Sequence, residues 1–138
     1  MSGDQSPITV ADTLINFNTA AAGSTLPWAV ISGSAYGVTL TGGVTYQIAL
    51  TMGGAVGGTT TYVYYQCYNR TGSALIGKPV AIVSMGASYN SFTPATTVFH
   101  FTPSVNSVVD VRVSETSGAG TRTVLAQWCI WSISEVAR

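Results

Sequence analysis

The last long stretch of the chain, Val124 to Val136 (VLAQWCIWSISEV), constrains the fold most. If extended, it places Leu125, Cys129, Trp131 and Ile133 on one face and Val124, Ala126, Trp128 and Ile130 on the other. A strand in a one-sided antiparallel sheet carries a polar outer face. This one is apolar on both sides through most of its length. Its β-branched and aromatic residues, and the preceding Ser117-Gly118-Ala119-Gly120 turn, favour a strand over a buried helix. A small domain has few places to hide a second apolar face. The expectation is that one face packs on the fold's own core and the other against neighbouring subunits.

The composition agrees with that expectation. The 138 residues fit one domain with a real core. Only 7 % of them are charged, against about 25 % in ordinary globular proteins. The formal net charge is zero, so little repulsion opposes self-association.

Upstream, the chain reads as short strands and turns. Ile8 to Phe17 alternates, with Ile8, Val10 and Leu14 as inward candidates; Leu26 to Ile31, carrying Trp28, and Val38 to Leu40 are short extended pieces. Val44 to Met52 alternates most cleanly, with Val44, Tyr46, Ile48, Leu50 and Met52 on one face. The run GGAVGG (Gly53 to Gly58) lacks the Lys-Ser/Thr ending of a phosphate loop and reads as a turn. In Thr60 to Tyr68, Tyr62, Tyr64, Gln66 and Tyr68 share one face and Val63, Tyr65 and Cys67 the other. Asn69 to Gly77 reads as a long turn, followed by strands over Val80 to Met85, Thr96 to Thr102 and Val108 to Ser114. In the last of these Val109, Val111 and Val113 face inward, while Asp110 and Arg112 face outward as a weak surface pair. No stretch has helical periodicity. The fold class is all-β: a single-domain antiparallel β-sandwich over residues 8–138, most naturally a jelly roll, after a polar N-terminal arm over residues 1–7.

Most chemistry is excluded by what is missing. The five basic residues are scattered, so no patch is suited to nucleic acid. No apolar run reaches the roughly 18 residues of a membrane span. The N-terminus, MSGDQSPIT, lacks a signal-peptide pattern, so Sec-type secretion is not expected. Asp110 and Glu115 are the only neighbouring acids, and the register points Asp110 away from the core, a weak case for paired carboxylates. His100, the only histidine, lies on a strand face and not on a nucleophile turn; it reads as an interface residue. One His, two separated Cys and dispersed acids give no metal-ligand spacing, and no cofactor motif is present. The expectation is a non-enzyme without cofactor or metal. Cys67 and Cys129 read as reduced, buried small hydrophobes, with a disulfide between them left open. Tyr89 and Phe92, on a Gly/Ser/Asn-rich loop, either contact a partner or fold over the end of the sandwich.

Several segments together resemble a family. They are GVTYQIALTM, YVYYQCYNRTGSALIGKP, FTPSVNSVVDVRVSE and the closing WCIWSISEV. They are similar to phage and virion modules of the tumour-necrosis-factor and complement-globular-head type. The matching residues are Gly43, Thr45 and Tyr46; Tyr65, Tyr68, Asn69, Ile76 and Gly77; Phe101 to Ser104; Val109, Val111, Arg112 and Val113; and Ile133, Glu135 and Val136. The resemblance implies a ten-strand jelly roll in a compact homotrimer, its last strand in the inner sheet at the threefold axis. Trp128, Ile130, Trp131, Ile133 and His100 are the expected trimer-interface residues. No stalk or heptad shaft precedes the module, which points to a capsid decoration (cement) protein, made in the host cytoplasm and seated on the virion's capsid surface. Its expected partners are itself and the major capsid protein. Ser2, Asp4, Gln5 and Pro7 of the arm, with Tyr89 and Phe92, are the candidate contacts. A fibre tip that binds host surface polysaccharide is the alternative.

Overall fold

A computed structural model of the chain describes residues 14–15, 30–32, 37–56, 61–84, 94–118, 122–125 and 129–137. They form ten strands: β1 (Val30–Ser32), β2 (Gly37–Leu40), β3 (Thr45–Met52), β4 (Gly54–Val56), β5 (Thr61–Asn69), β6 (Ala74–Ser84), β7 (Ala95–Phe101), β8 (Ser107–Ser117), β9 (Arg122–Val124) and β10 (Ile130–Ala137). Among the described residues there is no helix. Every strand pairing is antiparallel. The sheet orders are β1-β2-β8-β5-β6, β10-β3-β7 and β4-β9. The chain is thus all-β and sandwich-like.

Period-two alternation builds the core as expected for half-buried strands. Tyr46, Ile48, Leu50 and Met52 of β3 have no exposed surface, and neither do Val63, Tyr65 and Cys67 of β5 nor Val109, Val111 and Val113 of β8. Phe99 and Phe101 of β7 and Ile76 of β6 pack against this cluster while partly exposed. One side is closed where β6 meets β7. Gly77 there adopts φ +70°, and a Cβ on it would run into the Phe99 ring. A left-handed backbone position with no room for a side chain is one that glycine fills without strain.

Four expectations need correction. The stretch 124–136 is two strands, not one. β10 pairs with β3 and β9 with β4, but residues 125–129 span a gap that only Met52 and Gly53 span on the partner side. The mismatch reverses the alternation, so Val124, Cys129 and Trp131 all turn towards the core. Second, GGAVGG is not simply a turn. Gly54 to Val56 pairs with Val124 to Arg122, and at Gly54 the Thr123 carbonyl comes so close that a Cβ would not fit. Third, the turn after β5 is short, because Ala74 already pairs with Asn69 and β6 starts there. Fourth, Ile15 and not Leu14 is the fully buried residue of its pair. The Ile15 amide donates to the Val111 carbonyl (2.9 Å), beside β8 in the sheet.

Candidate interaction faces

The outer face of the three-stranded sheet is built from alternate residues of β10, β3 and β7. In register it carries Ile130–Thr51–Thr96, Ser132–Ala49–Val98 and Ser134–Gln47–His100, with Thr45, Thr102 and Val136 beyond. Two hydroxyl pairs tie β3 to β7 across it, Thr51–Thr96 at 2.8 Å and Thr45–Thr102 at 2.9 Å. Among the described residues no charged side chain lies on this face. Ile130 is 64 % exposed, Val98 56 % and Val136 55 %. His100 stands on this face opposite Gln47. The sequence groups Ile130, Trp131, Ile133 and His100 as interface residues. The structure puts Ile130 and His100 together on this face and turns Trp131 and Ile133, half-buried, towards the core.

The outer face of the five-stranded sheet carries tyrosines and charged groups, with the exposed Leu75 and Val83 of β6 in register with Tyr68 and Tyr62. β5 presents Tyr62, Tyr64, Gln66 and Tyr68, all half-buried. The Tyr62 and Tyr64 rings stack, with centroids 5.0 Å apart at 29°. The Tyr62 hydroxyl donates to Glu115 Oε1 (2.6 Å), and that bond to the carboxylate, with desolvation, raises the phenol above its usual pKa. Glu115 reaches this face because Ser114 is an extra residue in β8: Tyr64 pairs with Glu115 and Tyr65 with Val113.

At the other end of the row stands Asp110, which is fully buried. The sequence reading as an exposed surface pair is overturned here. Asp110 Oδ2 accepts from Arg70 Nε (2.5 Å) and Arg112 Nη2 (3.2 Å), and Oδ1 from Arg112 Nε (3.0 Å). The Arg112 guanidinium lies 3.8 Å over the Tyr68 ring. Arg70 comes from the turn after β5, anchored by its amide to the Val108 carbonyl (2.8 Å). A buried carboxylate needs such partners. Strand period alone cannot show that a side chain on the next turn supplies one.

These groups do not assemble into a catalytic site. Asp110 is committed to two arginines, Glu115 to a tyrosine, and His100 is exposed on the other sheet. Among the described residues no group of three or more His, Cys, Asp and Glu could hold a metal, and no helix is long and apolar enough to cross a membrane. Cys67 and Cys129 are both buried thiols, not joined in a disulfide. Burial pushes the Cys67 thiol up to about 12, with the Asp110 charge adding to the effect. Cys129 Sγ sits against Gly53, 3.4 Å from its amide and 3.3 Å from its carbonyl oxygen. An open cleft of about 230 Å³ lies between the turn after β5 and the β7–β8 loop. Its polar atoms are largely engaged: Thr71 Oγ1 accepts from the Val108 amide (3.1 Å), Asn69 Oδ1 from the Thr71 amide (3.0 Å), and Ser107 Oγ donates to the Val105 carbonyl (2.9 Å). That pattern is one of loop anchoring.

The expected contacts Ser2, Asp4, Gln5, Pro7, Tyr89 and Phe92, and the interface residue Trp128, lie outside the described residues. No protein-family model and no curated protein matches the chain.

Proposed function

We propose that this chain is a virion structural protein. In this reading it is a jelly-roll subunit that assembles as a homotrimer and decorates a phage head, stabilising it. The observation that carries the assembly is the uncharged outer face of β10-β3-β7, with Ile130, Val98 and Val136 each more than half exposed. Exposed apolar side chains grouped on one face mark interaction surfaces. A face without charge is compatible with a copy of itself, since no like charges meet across the contact.

The size of the face sets a requirement. Three strands of about seven residues cover roughly 14 by 23 Å. That projected area is under half of the ~800 Å² each partner buries in a standard interface. A stable trimer therefore recruits further surface beside these strands. The trimer number and the capsid location rest on the resemblance to trimeric virion modules.

Native mass spectrometry of the purified chain tests the assembly. The expected result is a trimer for the parent and a monomer with unchanged far-UV circular dichroism for Val98→Asp with Ile130→Asp. A monomeric parent in dilute solution refutes it. Co-sedimentation with stripped phage heads and, separately, with host cells tests the location; binding to cells alone would favour the fibre-tip reading. The half-buried tyrosine row on the outer face of β5 is the observation that favours that second reading.

A further inference from the structure

We infer that the tyrosine row of β5 and the Arg70–Asp110–Arg112 cluster form one binding site for an acidic saccharide, its carboxylate at the arginine end. This deepens the fibre-tip reading and does not depend on the trimer. From Tyr62 to Tyr68 the row runs ~20 Å along the sheet. At one end two guanidinium groups converge on a single carboxylate oxygen, Asp110 Oδ2. Two guanidinium groups thus share one fully buried carboxylate. The side chains of Arg70 and Arg112 keep 27 % and 23 % of their surface, while Asp110 keeps none. Arg112 spends Nε and Nη2 on Asp110. Its Nη1 carries two N–H donors that no protein atom among the described residues accepts. A guanidinium held rigid by a buried acid and an aromatic ring is prepared for a second carboxylate, because its ordering cost is met in the free protein.

The rest of the row sets the ligand class. The stacked Tyr62 and Tyr64 rings offer apolar surface suited to the C–H faces of a sugar, and Glu115 beside them is an acceptor for hydroxyl groups. Gln66 Nε2 is held on the Gly77 carbonyl (2.7 Å), which fixes its amide and leaves Oε1 as another acceptor. An acidic peptide is the poorer occupant. Peptides read on sheets gain affinity by adding a strand at an edge. β5 is an interior strand with β8 and β6 on either side, so its backbone is already used. The ligand must be recognised by side chains alone.

Isothermal titration of the full chain tests this with three probes. They are a tetrasaccharide of alternating glucuronate and N-acetylglucosamine, the same compound with its carboxyl groups reduced to alcohols, and a glutamate oligopeptide. The first should bind, the second roughly tenfold or more weakly, and the third not measurably. Tyr64→Ala leaves the Asp110 cluster intact and should abolish binding with unchanged circular dichroism. Arg112→Lys keeps the charge but loses the fork, and should weaken binding to the level of the reduced sugar. Equal binding of the reduced sugar or of the peptide overturns the proposal, as does no binding by the parent or full binding by Tyr64→Ala. Subunit number measured on the same sample keeps the readings apart. A trimer that binds nothing removes this site only, and a monomer that binds removes the trimer only.

Discussion

Replacing Asp110 by Asn tests the most heavily engaged side chain in the fold. The carboxylate is fully buried and accepts three hydrogen bonds from two guanidinium groups. The amide is nearly isosteric, so no cavity forms, and its oxygen can take the Oδ2 position. There it keeps the bonds from Arg70 Nε and Arg112 Nη2, while its NH2 then points at Arg112 Nε and that bond is lost. Hydrogen bonds to charged groups contribute about 1.5–3 kcal/mol each. Two arginines also lose their shared counter-charge. Breaking a wholly buried ion pair costs roughly 3–5 kcal/mol, but both arginines stay about a quarter exposed and water screens part of the loss. The expected cost is about 2–4 kcal/mol. Urea unfolding at fixed protomer concentration should show a lower midpoint with an unchanged m-value. Tm should fall by roughly 3–5 °C per kcal/mol in a domain of this size. Arg112→Gln alone, and combined with Asp110→Asn, closes a double-mutant cycle with an expected coupling above about 1 kcal/mol. A cost for Asp110→Asn below about 0.5 kcal/mol, with zero coupling, would refute the picture of a carboxylate held by two cations.

Two more predictions concern buried groups on the inner face of β5. The Tyr65 hydroxyl is buried without a hydrogen-bond partner, and burial raises its pKa. An unsatisfied buried hydroxyl is unfavourable, so Tyr65→Phe should leave stability unchanged or raise it by about 1 kcal/mol. A clear loss in thermal melts would mean the hydroxyl is satisfied after all. Cys67 is an acid whose folded pKa, about 12, lies above its usual value of 9.0. The unfolded chain therefore sheds this proton first, and the stability present below pH 9 is lost progressively as pH rises from 9.0 towards 12. The loss is about 1.4 kcal/mol per pH unit across that window. Urea midpoints between pH 8 and 11 should fall more steeply for the parent than for Cys67→Ala, and identical slopes would sink the assignment.

The parts of the fold that a period can encode are legible in the residues. Val44 to Met52 and Val63, Tyr65 and Cys67 face the core as their alternation requires. His100 with Val98 and Phe99 with Phe101 take the opposite faces that their spacing dictates. What escapes is everything decided by a distant partner. Gly54 to Val56 looks like turn chemistry until Arg122 to Val124, nearly seventy residues on, pairs with it. Ser114 reads as one more strand residue, yet as a bulge it reverses the faces beyond it and delivers Glu115 to Tyr62. Asp110 is outward by parity and buried by Arg70, whose position comes from a turn. Likewise the break at residues 125–129 turns Val124 inward, so the doubly apolar closing stretch overstates what its outer face presents.

That last point shifts the weight of the assembly argument. With Val124 accounted for by the core, lack of charge is not enough to mark β10-β3-β7 as an interface, because at 7 % charged residues a face of a dozen positions carries about one charge on average. The discriminating fact is where exposed apolar side chains fall. Ile130, Val98 and Val136, the most exposed large apolar residues described apart from Val105, share this one face. The opposite sheet gathers Arg70, Asp110, Arg112 and Glu115 among tyrosines. A chain with so few charges that gathers four of them on one face, and its three most exposed strand aliphatics on the other, has faces suited to different neighbours. Two lesions then separate them. Charge placed at Val98 and Ile130 should abolish self-association and spare sugar binding, and Tyr64→Ala should do the reverse. If either lesion removed both properties, the two faces would not be independent.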